Sequence, residues 1–514
     1  MRSSWSLMVG AAASVWLSCG PEFEPQQQGP EASSLKTKSQ KVLAQCPYTW
    51  PAIDMERELV VRDVSVVNDA CRTQSPWNGT ASCVNPSSKG KWNFGFLMSQ
   101  IAGNLDAAGT SDFVLRWLNT WMTDQFVNGH VVASRKDPNP NDATLLGIDS
   151  KVIKPWRTRS GCPASGSCTL DFNQAPFRLL AIVNRVDLAG DAYGSSGNPG
   201  ELRFVFGFVD YSKLNDTASQ NGAMKATVIL EYKLTQRFIA FDWAYWWHDL
   251  ASRTMPSESY NSALEQITNW VTVYDPVWIP GGSSLSQVRT NEIEFDSAPL
   301  LTNRLWELRE QKRDCSLGPC SLRPDTVKQT PDSRYNAGGE QQLDPAYQGN
   351  QLDTYMLNNA PAIDVEDLTA LPPSMIGGAS RSKGAQGQQL IWDLSSIAQA
   401  NYEQNGGTFK TSTRHKFALQ TCNGCHYAET GTFNFHIAPR AINARSQMSG
   451  FLAPSDALAP NSSDVSQPLN YISFTDPVDG ESRIYNDMWR RKCEMQRLLN
   501  FGSPLQLFKP SGAH

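Results

Sequence analysis

The chain has 514 residues, and its 45 Lys and Arg against 50 Asp and Glu give a formal net charge of −5. With no basic run, this balance argues against a nucleic-acid partner. Sixteen tryptophans and 40% apolar residues supply ample core material, and the roughly 470 residues beyond the N-terminal region suggest two to four domains.

Met1-Arg2 gives a short positive start, Leu7 to Leu17 an apolar stretch of signal-peptide length, and Ser18-Cys19-Gly20 a small-residue close. A membrane-spanning helix needs about 20 apolar residues, so the stretch predicts export and removal of residues 1–18. It resembles lipoprotein signals, which implies that Cys19 becomes the lipid-modified first residue of the mature chain. Trp16 stands where that pattern usually has leucine. Cleavage nearby by the general signal peptidase is the alternative, and export follows from either. The lipid implies a membrane anchor, placing the protein in the cell envelope, either on the outer membrane or in the periplasm.

Residues 19–41, rich in Pro, Gln, Glu, Ser and Lys without apolar periodicity, predict a disordered tether. Residues 42–330 predict an α+β domain built on a mixed, mainly antiparallel sheet with amphipathic helices. Strands are expected at Leu59–Val67, Phe177–Val186, Leu202–Val209 and Ala226–Leu234. Helices are expected at Trp92–Leu105, Ser111–Asn128, Trp243–Arg253 and Tyr260–Val273. Gly/Asn/Ser connections such as Gly190–Gly200 favour antiparallel pairing. Residues 331–407 are turn-rich and predict a linker or wrapping segment, with a helix at Trp392–Tyr402. Residues 408–514 have the size of one small, mostly helical domain closing on a helix at Ser482–Asn500.

The most specific motif is Cys422-Asn423-Gly424-Cys425-His426. C-x-x-C-H is the spelling of covalent c-type haem attachment: two thiols one helical turn apart meet the two vinyl groups of a porphyrin, and the following imidazole reaches the iron. Export agrees, because this attachment takes place outside the cytoplasm. From about Thr408 onward the chain resembles a monohaem cytochrome c domain. The resemblance implies haem c bound at Cys422, Cys425 and His426, with His426 the proximal ligand and Met448 or His436 opposite. His415, Met488 and Met495 are further candidates, though none has the usual ligand spacing. The same cluster admits a Cys₂His₂ zinc site from Cys422, Cys425, His426 and His436 or His415, a redox or structural disulfide, or a chance match.

The chain has eleven cysteines. Setting aside Cys19 and the motif pair leaves an even number, as suits an oxidising compartment. Close spacing suggests Cys162 with Cys168, Cys315 with Cys320 and Cys71 with Cys83, leaving Cys46 and Cys493 to join the two ends.

In the larger domain, Trp243, Trp246 and Trp247 fall on one helical face and predict core packing rather than a stacking surface for flat ligands. Asp187, Glu201, Glu292 and Glu307 sit on strands where charge alternates with apolar residues, the pattern of a half-exposed strand, although an acid–base pair is possible among them. Phosphate-loop, dinucleotide, G-x-S-x-G and H-E-x-x-H motifs are absent. The segments RTNE (289–292), WELRE (306–310) and TCNGCH together resemble a set that recurs in uncharacterised envelope lipoproteins, without implying an activity. The functional expectation is electron transfer through haem c, with a redox partner protein. The alternatives are a non-enzymatic binding or structural lipoprotein with a zinc or disulfide staple, and an enzyme pairing the haem with a pocket in the large domain. For the exported chain, mass spectrometry of the mature N terminus should find Cys19 first and acylated, whereas an unmodified terminus nearby would mark the general peptidase.

Overall fold

Runs rich in Val, Ile, Leu and Phe make the central strands β2 Phe177–Arg185, β3 Glu201–Val209 and β4 Ala223–Lys233, and the mostly polar β5 Leu285–Glu292 pairs beside them. They join β1 Val60–Val61, β6 Glu307–Asp314, β7 Ser321–Asp325 and β8 Ser380–Arg381 in an eight-stranded sheet. Its order is β1-β2-β3-β4-β5-β6-β8, with β7 also paired to β6, and every pairing is antiparallel. The computed structural model describes residues 48, 50–73, 83–138, 146–189, 199–234, 239–295, 305–316, 318–327, 329–335, 351–364, 371–383, 389–393, 411–432, 434–453 and 472–501. The signal and tether, Cys19 and Cys46 lie outside them.

The sheet has two chemically different faces, because successive side chains on a strand point to opposite sides. One face carries Phe204, Phe206 and Phe208 on β3, Ala226, Val228 and Leu230 on β4, and Val288 on β5, all buried in the main core. Helices α1 Phe94–Ala102 and α2 Ala107–Asn119 add Phe94 and Trp117 to it, with the Phe94 ring stacked 3.9 Å from Phe177. α3 Ala240–Asp249 buries Trp243 and Trp247 completely, and Trp246 stacks 4.5 Å from Trp270 of α4 Glu258–Thr272, so the aromatic stripe is core.

The other face is polar, with Arg203, Thr227, Glu231, Arg289, Asn291 and Glu310 on neighbouring strands, and it too is buried. Its cover is the C-terminal segment. Leu43–His514 is one compact unit, so the segment expected as a separate domain belongs with the sheet. It contains α5 Thr411–Leu419 and α6 Asp487–Phe501 together with a hairpin, Ile472–Thr475 with Ser482–Tyr485.

The charged strands are thus buried on both faces, which corrects their half-exposed reading: Glu292 and Glu307 lie on the core side, in register with Ala226 and with each other. Asp187, Glu292 and Glu307 are buried and Glu201 is half-buried. Glu292 and Glu307 are register partners, held by Arg135 at 2.7 and 3.2 Å and, at Glu307, by Arg309 and Arg381. These arginines outweigh the burial that would raise the Glu307 pKa and hold it well below the usual carboxylate range. Glu307 is thus an ionised member of a structural ion-pair network that also ties in Glu292 through Arg135.

Three further expectations change. Leu59–Val67 is a two-residue strand between short helices, Met55–Glu58 and Val64–Val67, because Asp54 and Asp63 each cap a helix start. Ser482–Asn500 divides into strand Ser482–Tyr485 and α6, which starts at Asp487. Within 331–407, short helices form at Gln351–Asn358 and Ala360–Asp364; residues 391–393 are irregular, and the rest of the helix expected at Trp392–Tyr402 lies outside the described residues.

Cys71–Cys83, Cys162–Cys168 and Cys315–Cys320 are disulfides, as their spacing predicts. Cys493 is disulfide-bonded as well, and its expected partner Cys46 is outside the described residues.

The loop after His436 is locked to the sheet by Arg440. Its guanidinium donates to the Leu179 carbonyl at 2.8 Å, the Asn68 side chain at 2.6 Å and the Ile442 and Ala444 carbonyls at 2.6 and 3.1 Å. Arg178 and Arg62 add bonds to the Arg440 and Ser446 carbonyls. Arg440→Ala strands several buried carbonyls, and denaturant unfolding should register a loss of about 3 kcal/mol; a loss below about 0.5 kcal/mol would show that the loop docks without this cage.

Candidate functional site

The cysteine motif begins where α5 ends. Cys425 N–H donates to Thr421 O at 3.0 Å, and the chain then widens into a π-helical turn, Gly424–Ala428, closed by Glu429 N–H to Gly424 O at 2.8 Å. Such single wide turns often occur at functional sites. Gly424 is sterically required, since a Cβ there would lie 1.9 Å from the Ala418 carbonyl oxygen. Asn423 accepts from Trp392 Nε1 at 2.8 Å and donates to Leu390 O at 3.2 Å, tying the motif to the segment around 390.

Cys422 and Cys425 are both thiols and fully buried. Burial pushes Cys422 up to about 11 and Cys425 well above the ordinary thiol range. His426 lies flat against Trp306, with centroids 4.9 Å apart and planes at 27°, and its Nδ1–H donates to Asn434 O at 3.0 Å. That bond commits Nδ1 as the donor and leaves Nε2 the ring's basic nitrogen, the arrangement of a metal-ligating histidine. Burial lowers His426 to about 3 and His436 well below the histidine range, so both rings are neutral.

His426 and His436 face the polar side of the sheet across a gap. Its sheet wall includes Val183, Arg185, Arg203, Val205, Thr227, Ile229, Glu231, Arg289, Asn291 and Leu308; its other wall includes His426, His436, Ile437, Leu452 and Arg491. The lining runs over five neighbouring strands, ~19 Å at ordinary strand spacing. The gap is narrow: about 60 Å³ of it admits the centre of a water molecule. The RTNE, WELRE and TCNGCH segments meet here: β5 and β6 lie side by side, Trp306 donates to Asn291 Oδ1 at 2.6 Å, and His426 stacks on Trp306.

These features meet a thiol-attached flat group in part: His426, with its Nδ1 committed, faces a wall with arginines along it, whereas Cys422 and Cys425 are buried and are not among the residues lining the gap. The opposite ligand is another matter. His436 stands with its centroid 4.3 Å from His426 and its Nε2 3.5 Å from Cys425 Sγ, while Ser449 Oγ contacts its Nδ1 at 2.8 Å. Imidazoles on opposite sides of one ion, with bonds of about 2 Å, have centroids about 6 Å apart. His426 and His436 stand closer together than that. Met448 bridges Ile437 and is not among the residues lining the gap, and Met488 and Met495 are buried in the core.

Of the zinc set, Cys425 and His436 meet, but among the described residues no three of its members gather to metal-binding distances. Among the described residues the group gathered to metal-binding distances is His415, Glu429 and Asp476. Arg414 already neutralises it, donating to both Glu429 oxygens at 2.8 and 2.9 Å and to Asp476 at 2.5 Å, and both His415 nitrogens are engaged, Nδ1 with Glu429 and Nε2 with the Tyr485 hydroxyl at 2.6 Å. It is an ion-pair network joining α5 to the hairpin.

Sequence reasoning missed the sheet half of the site. Arg185, Arg203, Thr227 and Glu231 carried only alternation as a signal, and alternation does not reveal that a second layer covers the polar face. No family model matches this chain, and no curated protein or solved structure matches it.

Burial opposes the charge on His415, but its hydrogen bonds to Asp476 and Glu429 outweigh this and hold its pKa above the ordinary 6.5. A folded pKa raised in this way stabilises the protein fully below 6.5 and loses that contribution as pH rises through the folded value. Melting temperature should therefore fall as pH rises from 6, less steeply in His415→Gln; equal slopes would refute the assignment.

Proposed function

We propose that this is an exported, lipid-anchored protein of the cell envelope that carries a covalently attached c-type haem between the sheet and the C-terminal layer and serves electron transfer to a partner protein. The observation that carries the reading is chemical. Cys422 and Cys425 remain thiols, while every other cysteine among the described residues is disulfide-bonded. Reduced thiols in an otherwise oxidised chain suit thioether formation, and the adjacent imidazole has its Nδ1 already committed.

Cys422 and Cys425 would hold the haem and His426 would bind its iron; bound there, the group supplies one-electron exchange. The chain's own residues define the rest. Asn434 O fixes the His426 tautomer, Trp306 sets its ring plane, and Gly424 lets the turn approach α5. The arginines of the gap wall present cations to acidic substituents on the bound group. Among the described residues no helix is long and apolar enough to cross a membrane, which agrees with attachment through lipid.

A second reading is favoured by the 3.5 Å contact of Cys425 Sγ with His436 Nε2, a separation that thiolate and imidazole keep when they share one tetrahedral zinc. It makes the protein a binding or structural lipoprotein with a metal staple. Expression with a haem-maturation system decides between the two. The denatured chain should retain haem in a pyridine haemochrome assay, and Cys425→Ala should abolish attachment through both thiols; stoichiometric zinc with no Soret absorption would establish the second reading and overturn the first.

A further inference from the structure

The Thr227 hydroxyl carries information that the motif does not. Thr227 is 1% exposed, lines the gap, and its Oγ1 has no hydrogen-bond partner among the described residues. A buried hydroxyl without a partner costs about 1–3 kcal/mol, so a site that keeps one is built for something that arrives. The register sets Asn291 directly beside Thr227 on β5, and Arg289 two pairs further along beside Ile229. Arg203 comes from β3, paired with Glu231.

The charges around this hydroxyl are layered. Arg185, Arg203, Arg289 and Arg491 line the gap, whereas most of their carboxylate partners do not: Asp187 pairs with Arg185, Glu201 with Arg203, Glu310 with Arg289 and Asp487 with Arg491, and only Glu231 faces inward. Paired with carboxylates beside them, and with Arg203 and Arg289 also 3.3 and 3.5 Å from Glu231, the guanidinium groups are held in place, and the four arginines outnumber the one carboxylate in the lining. The neutral imidazoles opposite add no compensating charge.

We infer that the sheet face at Thr227, Arg203 and Arg289 is a carboxylate-binding subsite, with the Thr227 hydroxyl donating to one oxygen and the guanidinium groups neutralising the charge. The carboxylate has two possible sources, a side chain of the attached haem or a small free dicarboxylate. In the first case the inference rests on the haem reading; in the second it stands without it.

Two preparations of the full chain separate these sources. In chain made without haem maturation, calorimetric titration with succinate should show binding that Thr227→Val weakens at least tenfold; Arg289→Lys, which keeps the charge, should weaken it less. In haem-loaded chain, Thr227→Val should shift the midpoint potential and its pH dependence if the haem carboxylate occupies the subsite, and should leave both unchanged while succinate still binds if the ligand is free. Circular dichroism melts establish that each variant is folded. Folded Thr227→Val with unaltered succinate affinity and unaltered potential would overturn the subsite. Failure of the wild-type chain to acquire haem would overturn the functional reading alone, because the succinate titration still reports on the subsite.

Discussion

Everything distinctive in this molecule follows from a sheet whose charged face is covered. Removing guanidinium and carboxylate groups from water costs several kcal/mol per ion, and their attraction offsets that cost only where geometry and hydrogen bonding are good. Here the geometry is supplied twice, by the side-by-side register of β3, β4, β5 and β6 and by the Asp487, Arg490 and Arg491 cluster on α6. Arg490 joins the layers directly, donating to Asp187 at 2.7 Å and to Asp487 at 2.7 Å. The C-terminal segment therefore completes the charge pairing of the sheet as well as shielding it.

That constraint also makes the gap. Two layers bridged by long charged side chains do not interdigitate as two apolar layers do, and a thin space remains where the arginines turn sideways to reach their partners. His426 of the cysteine motif reaches the wall of that space because α5 is fixed by Arg414 and His415 to Glu429 and Asp476, and because the loop after His436 is held by the Arg440 cage. The thiols and imidazoles are buried by the same contacts that fix their positions, which explains neutral histidines and thiols far from ionisation. The site presents neutral, preorganised groups beside a wall rich in arginine.

The strong apolar runs at Phe177, Leu202 and Ala226, the aromatic stripe at Trp243 and the short-spaced cysteine pairs were legible because each is a local pattern whose physics is complete within a dozen residues. The motif at 422–426 was legible for the same reason. The element boundaries at Leu59–Val67 and Ser482–Asn500 were not, since aspartate caps decide between strand and helix against a weak apolar preference. Charge alternation on β3 to β6 reads equally well as a solvated face or a covered one.

The sequence by itself determined the α+β class, an N terminus with the marks of export, three disulfides, and a cysteine–histidine motif with the spacing for covalent attachment. Only the tertiary structure decided that RTNE, WELRE and TCNGCH converge, that His436 lies beside His426, and that Thr227 and the arginines form the opposite wall. The reason is range. Propensity, capping and spacing act between near neighbours in the chain, whereas the gap is made by strands and a C-terminal layer more than a hundred residues apart, brought together by charge pairing that no local pattern records.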